Sequence, residues 1–204
     1  MPDQYLTLTR SERHFVHALL SLMEEKDFRE ITVMELAERA EYDRKTYYRH
    51  FKSKEDILLL YCYHILYEMA DAMRAVPLTV SNTILAYFRF WEKHRAFLSL
   101  LAKNDLLHHL GNLQEELLYD HVGQIVQPGI PVSLAEAPPL SRYSFYYTAG
   151  ALWTVLCHWV LEDPKATPEE LTEYYKQTTT GLAAFLATET GPEEGPLKER
   201  REEE

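Results

Sequence analysis

Residues 143–161, YSFYYTAGALWTVLCHWVL, hold no Asp, Glu, Lys or Arg and are apolar on nearly every face. A helix of this kind has no side to give to water and must be buried all round. A chain of 204 residues has little surface to spare for that. The run approaches the length of a bilayer span, but Thr148, Thr154 and His158 interrupt it and Glu162 and Asp163 follow it, so no membrane partner is expected. A second copy of the chain is the better cover. The next segment supports this: Thr167-Pro168-Glu169-Glu170 combines an N-cap, a first-turn proline and a capping-box glutamate, and Leu171, Tyr174 or Tyr175, Thr178, Leu182 and Phe185 then follow along one stripe. A homodimer is expected through helices at about 141–162 and 168–187.

The rest of the chain also reads as helix, which makes the expected fold class all-α. Glycine is scarce, with 7 residues, and several of the 10 prolines fall between periodic segments, as in long helices with short connections. Phe15, Ala18, Leu19, Leu22 and Met23 mark a first helix from Thr9 to about Lys26. Thr32 and Glu35 have capping-box spacing for a short helix at about 32–39, with Ile31 and Leu36 at staple positions. Ala40-Glu41-Tyr42 breaks the pattern, Asp43 caps a helix to His50, and Ser53 with Asp56 opens a linking helix at about 53–76 that Pro77 ends. Further helices are expected at about 80–93, 95–103 and 106–127, then a proline-rich loop over 128–140. Residues 188–204 form an acidic tail with almost no apolar content, expected to be disordered.

Net charge is −11, which alone argues against a nucleic-acid partner. Its distribution reverses the argument. Residues 1–60 carry 10 Lys/Arg against 12 Asp/Glu, the remainder 11 against 20. Arg44 to Lys54 hold five basic residues, His50 and no acid, enough for a small positive face. The two cysteines, Cys62 and Cys157, sit inside apolar helical patterns and suggest no disulfide; with no signal-peptide pattern at the N-terminus, a cytoplasmic protein is expected. Nine histidines include the pair His108-His109, but adjacent side chains on a helix are expected to point to different sectors, and no Cys/His set has zinc spacing. No nucleophile motif or phosphate loop is present. Neither a metal, a cofactor nor an enzymatic activity is expected.

Two short helices across a tight turn can hold the exposed start of the second in a major groove. In that setting the stretch ITVMELAERAEYDRKTYYRHFKSKEDILLLY closely resembles the DNA-binding signature of TetR-family regulators: a Thr-capped helix, an Ala at the turn, a T-[FY]-Y-x-H-F run and then K-x-K-[ED]-[DE]-[IL]. The resemblance implies phosphate contacts from Thr32, Tyr48, His50 and Lys54. It places Arg44, Lys45, Thr46 and Arg49 against base edges or the groove wall, and Tyr47 and Phe51 against the first helix. This sequence departs from the family at Glu41, where Gly is usual, and at Asp43, where Ser is common. A left-handed Glu41 costs about 1 kcal/mol.

YFRFWEKHRAFLSLLAKNDLLHHL and the stretch from Tyr143 to Leu171 are similar to the C-terminal regulatory region of one TetR subfamily. The resemblance implies a helix-turn-helix domain over 1–54 and an effector-binding and dimerisation domain over 55–187. It also implies a dimer on a pseudo-palindromic operator, a repressor in the first instance, released by a small apolar or aromatic effector. The alternative is an activator or interaction module that works through a protein partner. The aromatics Tyr87, Trp91, Tyr119, Tyr146 and Trp153 either line the effector cavity or fill the core.

Overall fold

The computed structural model describes residues 7–77, 79–126, 139–162 and 166–188, without the side chains of 118–126 and 179–188 and of a few further positions. The expected loop at 128–140, all but its last two residues, and all but the first residue of the tail lie outside them, as does the side chain of Tyr119. All regular structure among the described residues is helical: α1 (Arg10–Glu25), α2 (Val33–Arg39), α3 (Arg44–His50), α4 (Lys54–Arg74), α5 (Val80–Lys93), α6 (Arg95–Lys103), α7 (Leu107–Val126), α8 (Pro139–Leu161) and α9 (Pro168–Thr188), with a 3-10 turn at Phe28–Glu30.

Local chemistry sets the first boundaries. Full capping boxes open four helices: Thr9 with Glu12 at α1, Thr32 with Glu35 at α2, Ser53 with Asp56 at α4, and Thr167 with Glu170 at α9. Each satisfies two backbone N–H groups that the helix start leaves without partners. At the far end of α2, Glu41 N donates to Glu38 O (3.1 Å) and Tyr42 N to Ala37 O (2.9 Å), the paired bonds of a Schellman motif. The motif puts Glu41 at φ 60°. The end of α6 repeats it. Asp105 N bonds to Ala102 O and Leu106 N to Leu101 O, with Asp105 at φ 58°. Leu106 is consumed by this cap, which is why α7 begins at Leu107.

The central α4 packs against α1, α5 and α7; α5 also packs on α9, and α6 on α8. One continuous core runs from Phe15 and Leu19 through Ile65 and Leu66 to Trp91, Leu98 and Leu110. Two hydrogen bonds tie the α6–α7 turn back to the N-terminal helices: Phe28 N donates to Asn104 Oδ1 (2.7 Å), and Lys103 Nζ to Glu24 O (2.8 Å). Cys62 is buried, which pushes its thiol up to about 12, and both cysteines are free.

A single chain covers α8 only in part. Leu156, Trp159 and Val160 are buried, but Tyr143 is 69% and Tyr147 62% exposed, and Leu161 is also exposed. None of the described helices is long and apolar enough to cross a membrane.

Candidate nucleic-acid interface and the cavity behind it

The second helix of the helix-turn-helix is fixed by an aromatic cluster. Tyr47 is fully buried, and its ring meets Phe15 edge-on at 5.6 Å and Phe51 at 5.9 Å. Phe15 stacks on Tyr42 (5.5 Å) and meets Phe51 edge-on (5.6 Å). These contacts anchor α3 to α1, as expected for Tyr47 and Phe51. The Tyr47 hydroxyl is buried without a hydrogen bond, and burial pushes it up to about 12.

With Tyr47 inward, helical periodicity turns Arg44, Lys45, Tyr48 and Arg49 to solvent, with Thr46 half-buried. Among the described residues no carboxylate lies within ion-pair distance of Arg44, Lys45 or Arg49. Asp43, in their midst, accepts the Thr46 N–H at 2.6 Å, and this bond holds its carboxyl below the usual range. Its charge therefore serves the N-cap.

Thr32 stands exposed at the start of α2, its hydroxyl donating to Glu35 (2.7 Å). Glu35 also receives Lys26 Nζ at 2.5 Å. Lys26 together with the Thr32 hydroxyl and amide draws the Glu35 carboxyl down to about 2. His50 turns toward α1, with Nε2 3.0 Å from Ser11 Oγ and Nδ1 3.8 Å from Glu12.

Lys54 is placed differently from what the family resemblance implies. Its ammonium donates to the carbonyls of Phe28 (2.7 Å), Arg29 (2.9 Å) and Ile31 (3.0 Å) and lies over the Phe28 ring. All three protons are used within the protein, so Lys54 fixes the turn that delivers Thr32 instead of facing outward.

Of the aromatics expected around an effector, the structure brings Tyr146 and Trp153 together. They line a cavity of about 230 Å³ between α7, which contributes Gly111, Gln114 and Glu115, and α8, which adds Ala149 and Gly150. Trp91 is fully buried in the core, and Tyr87 is buried behind the cavity, donating to Gln114 Oε1 at 3.4 Å. The sequence reading missed Gly111 and Gln114. A Cβ at Gly111 would come within 2.8 Å of the Trp153 indole, so this glycine is what allows the ring to lie on α7.

The rings of His108 and His109 lie 4.1 Å apart, contrary to the expected divergence. Among the described residues no group of three or more His, Cys, Asp or Glu could hold a metal ion.

Residues 15–61 match the family model for bacterial regulatory proteins of the tetR family. An uncharacterized HTH-type transcriptional regulator of Bacillus subtilis (strain 168), YxbF, is 25% identical over 174 residues; the match takes in 80% of this chain but only 43% of that protein's length. Two solved structures share the fold. The dihydroxyacetone kinase operon activator DhaS is 18% identical with a TM-score of 0.51, covering 87% of this chain and 97% of that one. The fatty acid degradation regulator FadR from Bacillus halodurans is 19% identical with a TM-score of 0.54, covering 84% and 95%. Residues 15–61 are thus a helix-turn-helix of the kind found in bacterial regulatory proteins of the tetR family, with a larger helical region behind it.

Proposed function

We propose that this protein is a homodimeric repressor that binds a pseudo-palindromic operator, one α3 helix per half-site. The observation that carries the reading is the outward face of α3, where Arg44, Lys45, Tyr48 and Arg49 project from a helix locked beneath by Tyr47. In this reading Arg44, Lys45, Thr46 and Arg49 address the major groove, and Thr32, Tyr48 and His50 hold phosphates. Lys54 acts through position alone. Residues 1–54 form the DNA-binding domain and 55–187 the regulatory and dimerisation domain. The dimer closes through α8 and α9, whose exposed Tyr143, Tyr147, Leu161 and Tyr174 give a second copy an apolar surface to cover. An effector held between α7 and α8 lowers operator affinity to the extent that it prefers the non-binding arrangement. Such a protein works in the cytoplasm, where its DNA is.

A second reading is an activator acting with a protein partner. It is favoured by the fold shared with DhaS, an operon activator. Selection of bound genomic fragments tests the first reading, repeated with Arg44→Ala/Arg49→Ala and across a salt series. An inverted-repeat site that wild type binds, the variant loses and salt weakens is the expected result. No enriched site, with or without cell extract, overturns it. A reporter placed behind the recovered site then gives the sign of regulation.

A further inference from the structure

The cavity between α7 and α8 has a definite chemical bias. Its walls are the rings of Tyr146 and Trp153 and the backbone at Gly111, and its polar groups are the Gln114 amide and the Glu115 carboxylate. Glu115 and Glu116 also border an adjoining recess that shares Tyr146. Among the described residues no Lys, Arg or His lines either space. An anion entering here meets two carboxylates and, among the described residues, no counter-charge, in a chain of net charge −11. A neutral apolar molecule uses the rings and leaves the carboxylates idle. A compact organic cation uses both, since aromatic faces attract cations through their quadrupole and the carboxylates add direct attraction. At about 230 Å³ the space is smaller than a drug-sized site, which selects a small head group.

We propose that this cavity binds a small organic cation, an amine or quaternary ammonium with an apolar body, its charge held by Glu115 and Glu116 and its body against Tyr146 and Trp153. The proposal rests on reading the α7–α8 region as an effector site and adds the ligand class. The test is calorimetric titration of the full-length protein at neutral pH with three probes of similar size: 2-phenylethylamine, 2-phenylethanol and phenylacetate. The amine is expected to bind about tenfold more tightly than the alcohol, with phenylacetate weakest. Glu115→Gln/Glu116→Gln, two changes at exposed positions, is expected to erase the amine's advantage and leave the alcohol's affinity unchanged. The proposal fails if no probe binds, if the alcohol or phenylacetate matches the amine, or if the double variant keeps the preference. Repeating operator titrations with the amine separates the two layers: binding without change in DNA affinity removes the effector reading and leaves the cation site standing.

Discussion

The N-terminal helices and α8 are built on opposite plans. In α1 to α3 the boundaries are written in local side chains, and the apolar stripe of each helix names its buried face: Phe15, Leu19 and Leu22 on α1, Leu36 on α2, Tyr47 on α3. In α8 nearly every residue is apolar, so the helix alone names no face. Its neighbours divide it. Trp159 is taken by the core, its ring under Arg95 at 4.2 Å and its Nε1 donating to Ala166 O at 2.9 Å. Tyr146, Ala149 and Trp153 turn to α7, and Tyr143, Tyr147 and Leu161 are left bare. The difference teaches that an amphipathic helix specifies its place, whereas a uniformly apolar one has its faces assigned by its partners, within the chain or beyond it.

The comparison breaks most severely at Phe15, which touches Tyr42, Tyr47 and Phe51. Phe15→Ala is expected to cost about 3–5 kcal/mol in denaturant unfolding, because the cavity it leaves lies where α1 and α3 meet. DNA binding is expected to fall with it. A loss below 1 kcal/mol would show that α3 is held by other contacts.

On α8 the corresponding change tests the proposed dimer. Tyr143→Glu/Tyr147→Glu changes side chains that are 69% and 62% exposed in the single chain, so the melting of an isolated protomer is expected to change little, whereas the proposed dimer is expected to dissociate at least about a hundredfold more readily. Burying each tyrosine body across an interface contributes roughly 1.5–3 kcal/mol. Sedimentation over a concentration series reads this directly, and an unchanged dimer would move the interface off this face of α8.

The same contrast governs what could be read from the sequence. The bounds of α1 to α4 were legible because Thr9, Thr32, Asp43 and Ser53 each do a job that spacing alone reveals. The cavity was half legible. Tyr87 and Trp91 lie on an aromatic stripe of α5 that suits a core as well as a cavity, and only the packing of α5 against its neighbours shows that they are buried. Gly111 carried no signal, because its role depends on a tryptophan forty-two residues away. Lys54 was a phosphate contact by resemblance alone, and nothing in its own spacing foretold that the turn at Phe28–Ile31 would bring three carbonyls onto it.

A smaller effect of opposite sign comes from the two Schellman caps. Glu41 and Asp105 both hold positive φ, at 60° and 58°, where a side chain is strained and glycine is not. Glu41→Gly is expected to raise stability by about 1 kcal/mol, reduced somewhat by the added freedom of the unfolded chain. Thermal unfolding of the full chain checks it. A destabilised variant would show that the Glu41 side chain makes contacts outweighing its backbone strain.

The smallest expected effect is one of pH. Glu35 has its carboxyl drawn down to about 2 by Lys26 and Thr32, from an ordinary value of 4.5. A carboxylate depressed in the folded state contributes stability that is present above the ordinary value and is lost as pH falls through the folded one. The window is therefore about pH 4.5 to 2. Glu35→Gln keeps an acceptor for the Thr32 N–H but removes the titrating charge, so its stability is expected to fall less steeply across that window than that of wild type. The slope does not vanish, because Asp27, held to about 2 by Arg29, titrates over a similar range. Parallel denaturant titrations at pH 4.5 and pH 2.5 measure the difference. Equal slopes in the two proteins would mean that Lys26 and Glu35 share no charge-dependent bond in solution, and that the start of α2 is held by the Thr32 cap and by Lys54 beneath the preceding turn.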